Sequence, residues 1–240
     1  MGDHRHACRL ARPLIRRPAI ALALLGAAPS LAAAPAPPVW PNTPLARVEA
    51  LALLQSLNAS LLSSDSATLT LDGWCARHHL APAGTRVIAE RVRGADKPVT
   101  AEMRAELQAG ADEPVRYRHV RLRCGDLVLS EADNWYVPAR LTPAMNAALD
   151  TSDVAFGRAV QPLHFRRQTL SAKLLWSPLP ADWDERREEM ASPVGRTLVI
   201  PDHVIEHRAV LRLPDGTPFS EVVETYTGAV LAFPPPAFRR

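Results

Sequence analysis

Residues 115–137 have the sequence VRYRHVRLRCGDLVLSEADNWYV, in which two runs of alternating side chains flank the turn sequence CGD. Alternate side chains of a strand point to opposite faces of a sheet, so this stretch predicts an antiparallel hairpin. A second turn sequence, PDG, separates two further runs. The remaining strand-like runs cover residues 164–176, 197–200, 204–213 and 219–227.

Helical signals are concentrated before these strands. Thr43-Pro44 is typical of an N-cap followed by proline at the first helical position, and leucines then recur at helical spacing. A second helix is expected after Ser66, a short strand over residues 86–93 and a short helix over residues 100–108. Strands joined by hairpins, with helices gathered at one end of the chain, predict an α+β fold with an antiparallel sheet.

The charge distribution argues against a nucleic-acid partner. The 240 residues carry 28 basic and 25 acidic side chains, for a formal net charge of +3. Residues 1–36 contain five arginines and one acid, so the rest of the chain is close to neutral. A near-neutral body gives no electrostatic attraction to a phosphate backbone, and we expect a small-molecule partner instead.

The amino terminus has the three parts of a secretory signal peptide. Arg16-Arg17 precedes the apolar stretch AIALALLGAA, which a small-residue run follows, so we expect cleavage between Ala32 and Ala36. The apolar stretch is too short to span a bilayer. The expected organisation is a signal peptide (1–36), a proline-rich linker (37–43), a folded domain (44–230) and a tail (231–240).

This organisation predicts a periplasmic or secreted protein without a stable membrane anchor. A cytoplasmic protein whose start codon is wrongly assigned is the alternative. After cleavage Cys75 and Cys124 are the remaining thiols, and they could form one disulfide in an oxidising compartment. Sequence spacing does not give the distance between them. We expect two separate buried thiols.

The segment from His203 to His207 matches the metalloprotease pattern H-x-x-E-H. That chemistry requires a helix, whereas this segment continues into strand-like alternation, so we predict a strand and no metal site. The chain lacks the nucleotide-binding and nucleophile-elbow motifs G-x-G-x-x-G and G-x-S-x-G.

Arg118 is a candidate ligand-binding residue. Alternation places it on the same strand face as Val120 and Leu122, so its guanidinium should point into the apolar interior. A guanidinium keeps its charge and therefore needs a carboxylate, from a ligand or from the protein, and the residues leave both possibilities open. Glu221 and Glu224 lie on opposite faces of one predicted strand, and periodicity does not say which face is buried.

Three segments resemble the chorismate lyase (chorismate-pyruvate lyase) family. They are RHVRLRCGDLVLSEADNWYVPARL (118–141), AFG (155–157) and HRAVLRLPDGTPFSEVVETYT (207–227). The resemblance extends over roughly residues 54–227 through the order and spacing of its elements. It implies a chorismate lyase-like fold, a single antiparallel sheet with helices packed on one side and an enclosed ligand cavity.

The resemblance also implies an activity, the removal of pyruvate from chorismate to give 4-hydroxybenzoate, which is a step of ubiquinone biosynthesis, without a cofactor. The substrate-binding arginine of the family corresponds to Arg118 and its catalytic glutamate to Glu224. Phe156 and Gly157 correspond to the turn whose amide helps to hold the ligand. An arginine suits a carboxylate, and a partly buried glutamate suits proton transfer.

Two features depart from the family pattern. Phe156 replaces the usual leucine before Gly157, which could narrow the cavity, and the stretch from residue 177 to 196 is longer and more acidic than expected. An export signal also conflicts with a cytosolic substrate. The alternative function is therefore an exported protein of the same fold that binds an aromatic carboxylate without turnover.

Overall fold

The computed structural model describes residue 2 and residues 39–94, 96–185 and 195–237. Apart from residue 2, the predicted signal peptide lies outside the described residues. Part of the predicted linker (37–38), part of the 177–196 stretch (186–194) and the last three residues of the predicted tail also lie outside them.

Six strands form one antiparallel sheet in the order β1-β2-β3-β6-β5-β4. The α+β prediction of a single antiparallel sheet is thus confirmed. Both predicted hairpins form, and Gly125 has a positive φ of 58° in the first of them, where glycine is favoured. The strands are β1 (Ile88–Val92), β2 (Arg116–Cys124), β3 (Leu127–Tyr136), β4 (Arg166–Leu174), β5 (His203–Arg212) and β6 (Pro218–Thr227).

Five α-helices accompany the sheet among the described residues. The predicted caps form, because the hydroxyl of Thr43 accepts a hydrogen bond from the Ala46 N–H and that of Ser66 from the Leu69 N–H. The helices are α1 (Pro44–Leu62), α2 (Ala67–Arg77), α3 (Ala101–Glu106), α4 (Pro143–Thr151) and α5 (Phe156–Ala159).

The main core lies between the helices and the predicted apolar face of β2. Val120 and Leu122 are buried there against α1 and α2, in one cluster with leucines such as Leu54 and Leu57. The helices therefore pack on one side of the sheet, as predicted. The short α3 is the exception, because Glu102 reaches Arg208 on the opposite face.

Cys75 of α2 and Cys124 of β2 are joined by a disulfide, with their Cα atoms 6.3 Å apart. The expectation of two separate thiols is therefore wrong. Packing α2 on the sheet brings together two residues that are 49 positions apart in sequence. The bond ties this helix directly to the strand that carries Arg118.

The packed region extends beyond both predicted ends. Trp40 is buried and its indole N–H donates to the Leu231 carbonyl at 3.0 Å, so part of the predicted linker belongs to the core. Leu231 and Phe233 are also buried, so the start of the predicted tail packs as well. The predicted strand over residues 197–200 is wrong, because only Thr197 makes an isolated bridge, to Pro41. None of the helices described here is both long and apolar enough to span a membrane.

Candidate ligand pocket

A pocket opens between the sheet, the start of α2 and the start of α5. It encloses about 470 Å³ of space without protein atoms, part of which is open to solvent. All four residues predicted to act at a site, Arg118, Phe156, Gly157 and Glu224, line this one pocket. The other lining residues are Asp65, Ser66, Ala67, Thr68, Val120, Leu122, Ala132, Asn134, Phe165, Arg167, Leu211 and Val222.

Arg118 projects from β2 into the interior, as its place in the alternation predicts, and is only 2% exposed. Its Nη2 donates to the Val154 carbonyl at 3.1 Å, whereas Nε and Nη1 are buried without a hydrogen-bond partner. Burial, followed by the charge of Arg91, lowers the pKa of Arg118 to about 10. Among the described residues no carboxylate lies within ion-pair distance of it. The alternative that Arg118 forms a structural ion pair is therefore not seen among the described residues.

Glu224 lines the same pocket from β6 and is 6% exposed. Its Oε2 accepts hydrogen bonds from Arg167 Nη2 at 2.6 Å and from the Tyr226 hydroxyl at 3.1 Å. Burial lowers the pKa of Arg167, but the charges of Glu224 and Tyr226 more than offset this and raise it overall. Burial, and then the charge of Glu224, raises the pKa of Tyr226, so its hydroxyl remains a donor. Glu224 therefore belongs to a paired cluster within the protein.

The register of the sheet separates Arg118 from Glu224. Arg118 lies opposite Asn134 on β3, and Glu224 lies opposite Ala132 on the same strand. The two residues are thus two strands apart and offset by two positions along them, about 12 Å between Cα atoms at ordinary strand spacing. The pocket lies between an unpaired cation at one end and a paired cluster at the other.

A polar contact lies beyond this cluster, on β5. His207 is opposite Glu224 in the register, and its Nε2 is 2.8 Å from Asn58 Oδ1 of α1. Burial, and then the charge of Arg167, lowers the pKa of His207, which favours the neutral ring. His207 does not line the pocket. Its position opposite Glu224 and its contact with Asn58 connect the cluster around Glu224 to α1.

Gly157 lets α5 approach the start of α2 closely. A Cβ at this position would lie 2.7 Å from Ser66 Oγ and 3.2 Å from Thr68 Oγ1. Ser66 and Thr68 themselves line the pocket. They lie at the N-terminal end of α2, where backbone N–H groups lack helical acceptors. Phe156, the departure from the family pattern, contributes an aromatic wall next to them.

The sheet settles the choice between the two glutamates. Glu221 is fully buried, but on the face away from the pocket, where Arg208 Nε donates to its Oε1 at 2.7 Å. Glu224 is the one in the pocket, as the resemblance implied. Its predicted catalytic role stays a prediction.

Sequence reasoning missed Arg167, Asn134 and Asp65 as pocket residues. Arg167 lies on β4, an edge strand whose mostly exposed residues give no clear alternation. Asp65 precedes α2 and accepts from the backbone N–H of Arg167 at 3.0 Å. Two sequence features could have pointed to these residues: the Asp-Ser pair before a helix, and the adjacent arginines Arg166 and Arg167. Both features are also typical of exposed positions, so neither indicates a pocket by itself.

The H-x-x-E-H segment forms part of strand β5, as predicted. In the described ranges no three side chains of histidine, cysteine, aspartate or glutamate are grouped so as to hold a metal ion.

Comparison with known proteins gives one close relative in sequence. No protein-family model matches the chain. The uncharacterized protein y4mC of Sinorhizobium fredii is 60% identical over 197 residues, which are 82% of this chain and 83% of the relative. The chain belongs to the y4mC family. Because y4mC is itself described as uncharacterized, this membership assigns no activity to the pocket.

Solved structures similar to this y4mC-family chain are regulators or their effector domains. One is YydK of Bacillus subtilis, described as a possible transcriptional regulator, with 13% identity and a TM-score of 0.36. The match covers 60% of this chain and only 58% of YydK. PhnF of Mycobacterium smegmatis shares 12% identity with a TM-score of 0.45, over 75% of this chain and 71% of PhnF. The effector-binding domain of the B. subtilis trehalose repressor shares 13% identity with a TM-score of 0.35, over 64% and 97%.

These comparisons correct the predicted function. The single antiparallel sheet with helices on one side agrees with the chorismate lyase-like fold that the resemblance implied, whereas membership of the chorismate lyase family is not shown. The prediction of a chorismate lyase, and with it a place in ubiquinone biosynthesis, is wrong: the similar structures are described as a possible transcriptional regulator and as effector-binding domains. They also lend no support to a periplasmic location.

Proposed function

We propose that this chain is a small-molecule binding protein whose ligand is a small apolar carboxylate held by Arg118. One observation carries the proposal. Arg118 is almost fully buried, lines the pocket and keeps two nitrogen groups, Nε and Nη1, without a partner. Either of these N–H groups can donate a charge-assisted hydrogen bond to a carboxylate oxygen.

The desolvation cost of the buried Arg118 guanidinium supports an anionic ligand. Burying an ion without an ionic partner costs several kcal/mol, and such a charge is tolerated mainly where a counter-ion takes the place of water. The other charged groups of the pocket already have partners, since Glu224 pairs with Arg167 and Asp65 with Arg166. Arg118 is thus the lining cation that a ligand carboxylate would neutralise.

The walls of the pocket support an apolar body for this ligand. Between the two charged ends lie aliphatic side chains such as Val120 and Val222 and the rings of Phe156 and Phe165. Concave sites with apolar walls and a few well-placed polar groups are typical of small-molecule binding. An aromatic acid such as a benzoate matches both the walls and the single unpaired cation.

The paired state of Glu224 favours binding rather than turnover. Both of its hydrogen bonds from the protein are made to Oε2, by a buried arginine and a buried tyrosine. We propose that this cluster closes the end of the pocket opposite Arg118 and sets the length of the ligand.

Calorimetric titration of the full chain with benzoate, and with benzyl alcohol as the uncharged control, tests the proposal. A charge-assisted contact in a dehydrated site is worth about 2–5 kcal/mol, so benzoate should bind at least about 30-fold more tightly than benzyl alcohol. Equal affinity for the two compounds would refute a carboxylate site. Release of pyruvate from chorismate would refute binding without turnover.

We also propose that the chain works in an oxidising compartment. The disulfide between Cys75 and Cys124 supports this, because such bonds persist mainly in secreted or otherwise oxidising environments. Thiol titration of the unfolded full chain, purified from its host without reductant, should detect no thiol from this pair. Two titratable thiols at these positions would contradict the proposal.

A further inference from the structure

A second pocket shares Arg118 with the ligand pocket. It lies where β1 ends beside β2 and encloses about 430 Å³ of space without protein atoms, including open solvent. The chemically active side chains that line it are Arg91, Arg93, Asp96, Arg118 and His119. Arg118 is thus the residue that the linings of the two pockets have in common.

The strand register brings three arginines to one place. Arg91 of β1 lies opposite Val120 of β2, so it shares the sheet face of Val120 and Arg118. Val92 lies opposite His119, and continuing the ladder by one residue brings Arg93 opposite Arg118. The cluster is therefore a consequence of the β1 and β2 pairing.

These charges are poorly balanced by the protein. Asp96 is the one carboxylate among the lining residues, and it is exposed. In the described part of the chain neither Arg91 nor Arg93 forms an ion pair, and both are exposed. The charge of Arg91 contributes, after burial, to the lowered pKa of Arg118. Like charges this close destabilise one another unless an anion lies between them.

His119 adds a second unsatisfied group. Its Nδ1 is buried and has no hydrogen-bond partner in the structure. His119 lies on the opposite sheet face from Arg118, so this nitrogen is separate from Nε and Nη1 of Arg118. Buried polar groups normally have a partner, so a ligand that accepts hydrogen bonds is indicated here.

We propose that Arg91 and Arg93, with Arg118 behind them, form a second anion-binding subsite that takes a small oxyanion group, either a free oxyanion or the second acid group of a ligand held in the first pocket. This subsite goes beyond the proposed function, because it adds an anion contact outside the apolar pocket. Inorganic phosphate is a suitable first probe, since arginine clusters bind its oxygens readily.

Equilibrium dialysis of phosphate against the full chain at low ionic strength tests the subsite. The variant Arg91→Gln with Arg93→Gln removes two exposed charges without disturbing the core, and should weaken phosphate binding at least about tenfold. The matched control is Arg77→Gln with Arg86→Gln, which removes two other exposed arginines and the same net charge. It should leave phosphate affinity within about twofold of wild type, because only a distant field is lost.

Benzoate separates this subsite from the proposed function. The Arg91 and Arg93 double variant should bind benzoate as wild type does, within about twofold, because Arg118 is kept. Failure of benzoate with normal phosphate binding would overturn the proposed function and leave the subsite standing. Equal losses of phosphate affinity in the double variant and in its control would overturn the subsite.

Isophthalate, a benzoate with a second carboxylate, distinguishes the two sources of the oxyanion. If the outer group belongs to the pocket ligand, the double variant should weaken isophthalate at least about tenfold and benzoate hardly at all. If a free anion occupies the subsite, isophthalate should behave as benzoate does while phosphate binding is lost. Either result supports the subsite, and phosphate and isophthalate both unaffected by the double variant would refute it.

Discussion

Replacing Arg118 with methionine should stabilise the empty protein, although the residue is buried in the core. Burial lowers the pKa of Arg118 to about 10, which corresponds to roughly 3 kcal/mol of unfavourable free energy for the charged form in the folded state. Because the folded-state pKa lies below the unfolded one, this penalty is present below about pH 10 and is relieved only as the pH rises above it.

The variant also loses the hydrogen bond from Nη2 to the Val154 carbonyl, which is worth about 1 kcal/mol. The expected net gain is therefore about 2 kcal/mol at neutral pH, or about 5 °C in Tm for a chain of this size. A methionine of similar length should fill most of the space of the arginine stem.

Scanning calorimetry of the full chain, with and without benzoate, measures both effects. Benzoate at 100 times its Kd should stabilise wild type by about 2.7 kcal/mol and leave Arg118→Met unchanged. Arg167→Met is the control, because it leaves Glu224 buried without its cation and should lower stability by about 3–5 kcal/mol. The reasoning is refuted if Arg118→Met is destabilised as strongly as Arg167→Met and still responds to benzoate.

Three further changes test the fold and the site. Removing the disulfide with Cys75→Ala and Cys124→Ala should lower the free energy of unfolding by about 2–4 kcal/mol, measured by urea titration, because a 49-residue separation is no longer closed; an unchanged midpoint would contradict this. Gly157→Ala should weaken benzoate binding and lower the free energy of unfolding by about 1–3 kcal/mol. Gly73→Ala, whose added Cβ meets no atom within 4 Å, should be neutral or slightly stabilising. Equal effects of the two variants would count against the close packing at α5. Glu224→Gln should destabilise the empty protein by about 3–5 kcal/mol in the same urea assay, and a neutral result would argue against the paired cluster.

The sequence predicts well wherever one face of an element is strongly apolar. Strand β2 alternates over nine residues, so the inward direction of Arg118 follows from Val120 and Leu122 beside it. The caps at Thr43 and Ser66 are local signals and were equally readable. The positions that the family resemblance assigned to the site also came together in one pocket.

What failed depends on contacts between distant parts of the chain. The spacing of Cys75 and Cys124 carries no information on their distance, which the packing of α2 on β2 decides. Arg167 belongs to an exposed edge strand, and its burial follows only from the pairing with Glu224. Trp40 lies in a proline-rich segment that is typical of a linker, and only its tertiary contacts place it in the core.

The predicted activity failed for a different reason. The motif residues describe how a ligand is held, with a cation at one end of a pocket and a carboxylate at the other. An arginine that holds a carboxylate serves a binding protein as well as an enzyme. The resemblance therefore predicted the fold correctly and named four positions that line one pocket, while the reaction did not follow from it.

A crystal of the full chain soaked with 4-bromobenzoate, with the bromine located by its anomalous scattering, tests the central claim most directly. The account predicts bromine in the pocket beside Phe156 and Phe165, with a carboxylate oxygen about 2.8 Å from Nε or from Nη1 of Arg118. A carboxylate bound elsewhere, with both nitrogens of Arg118 still unpaired, would contradict it.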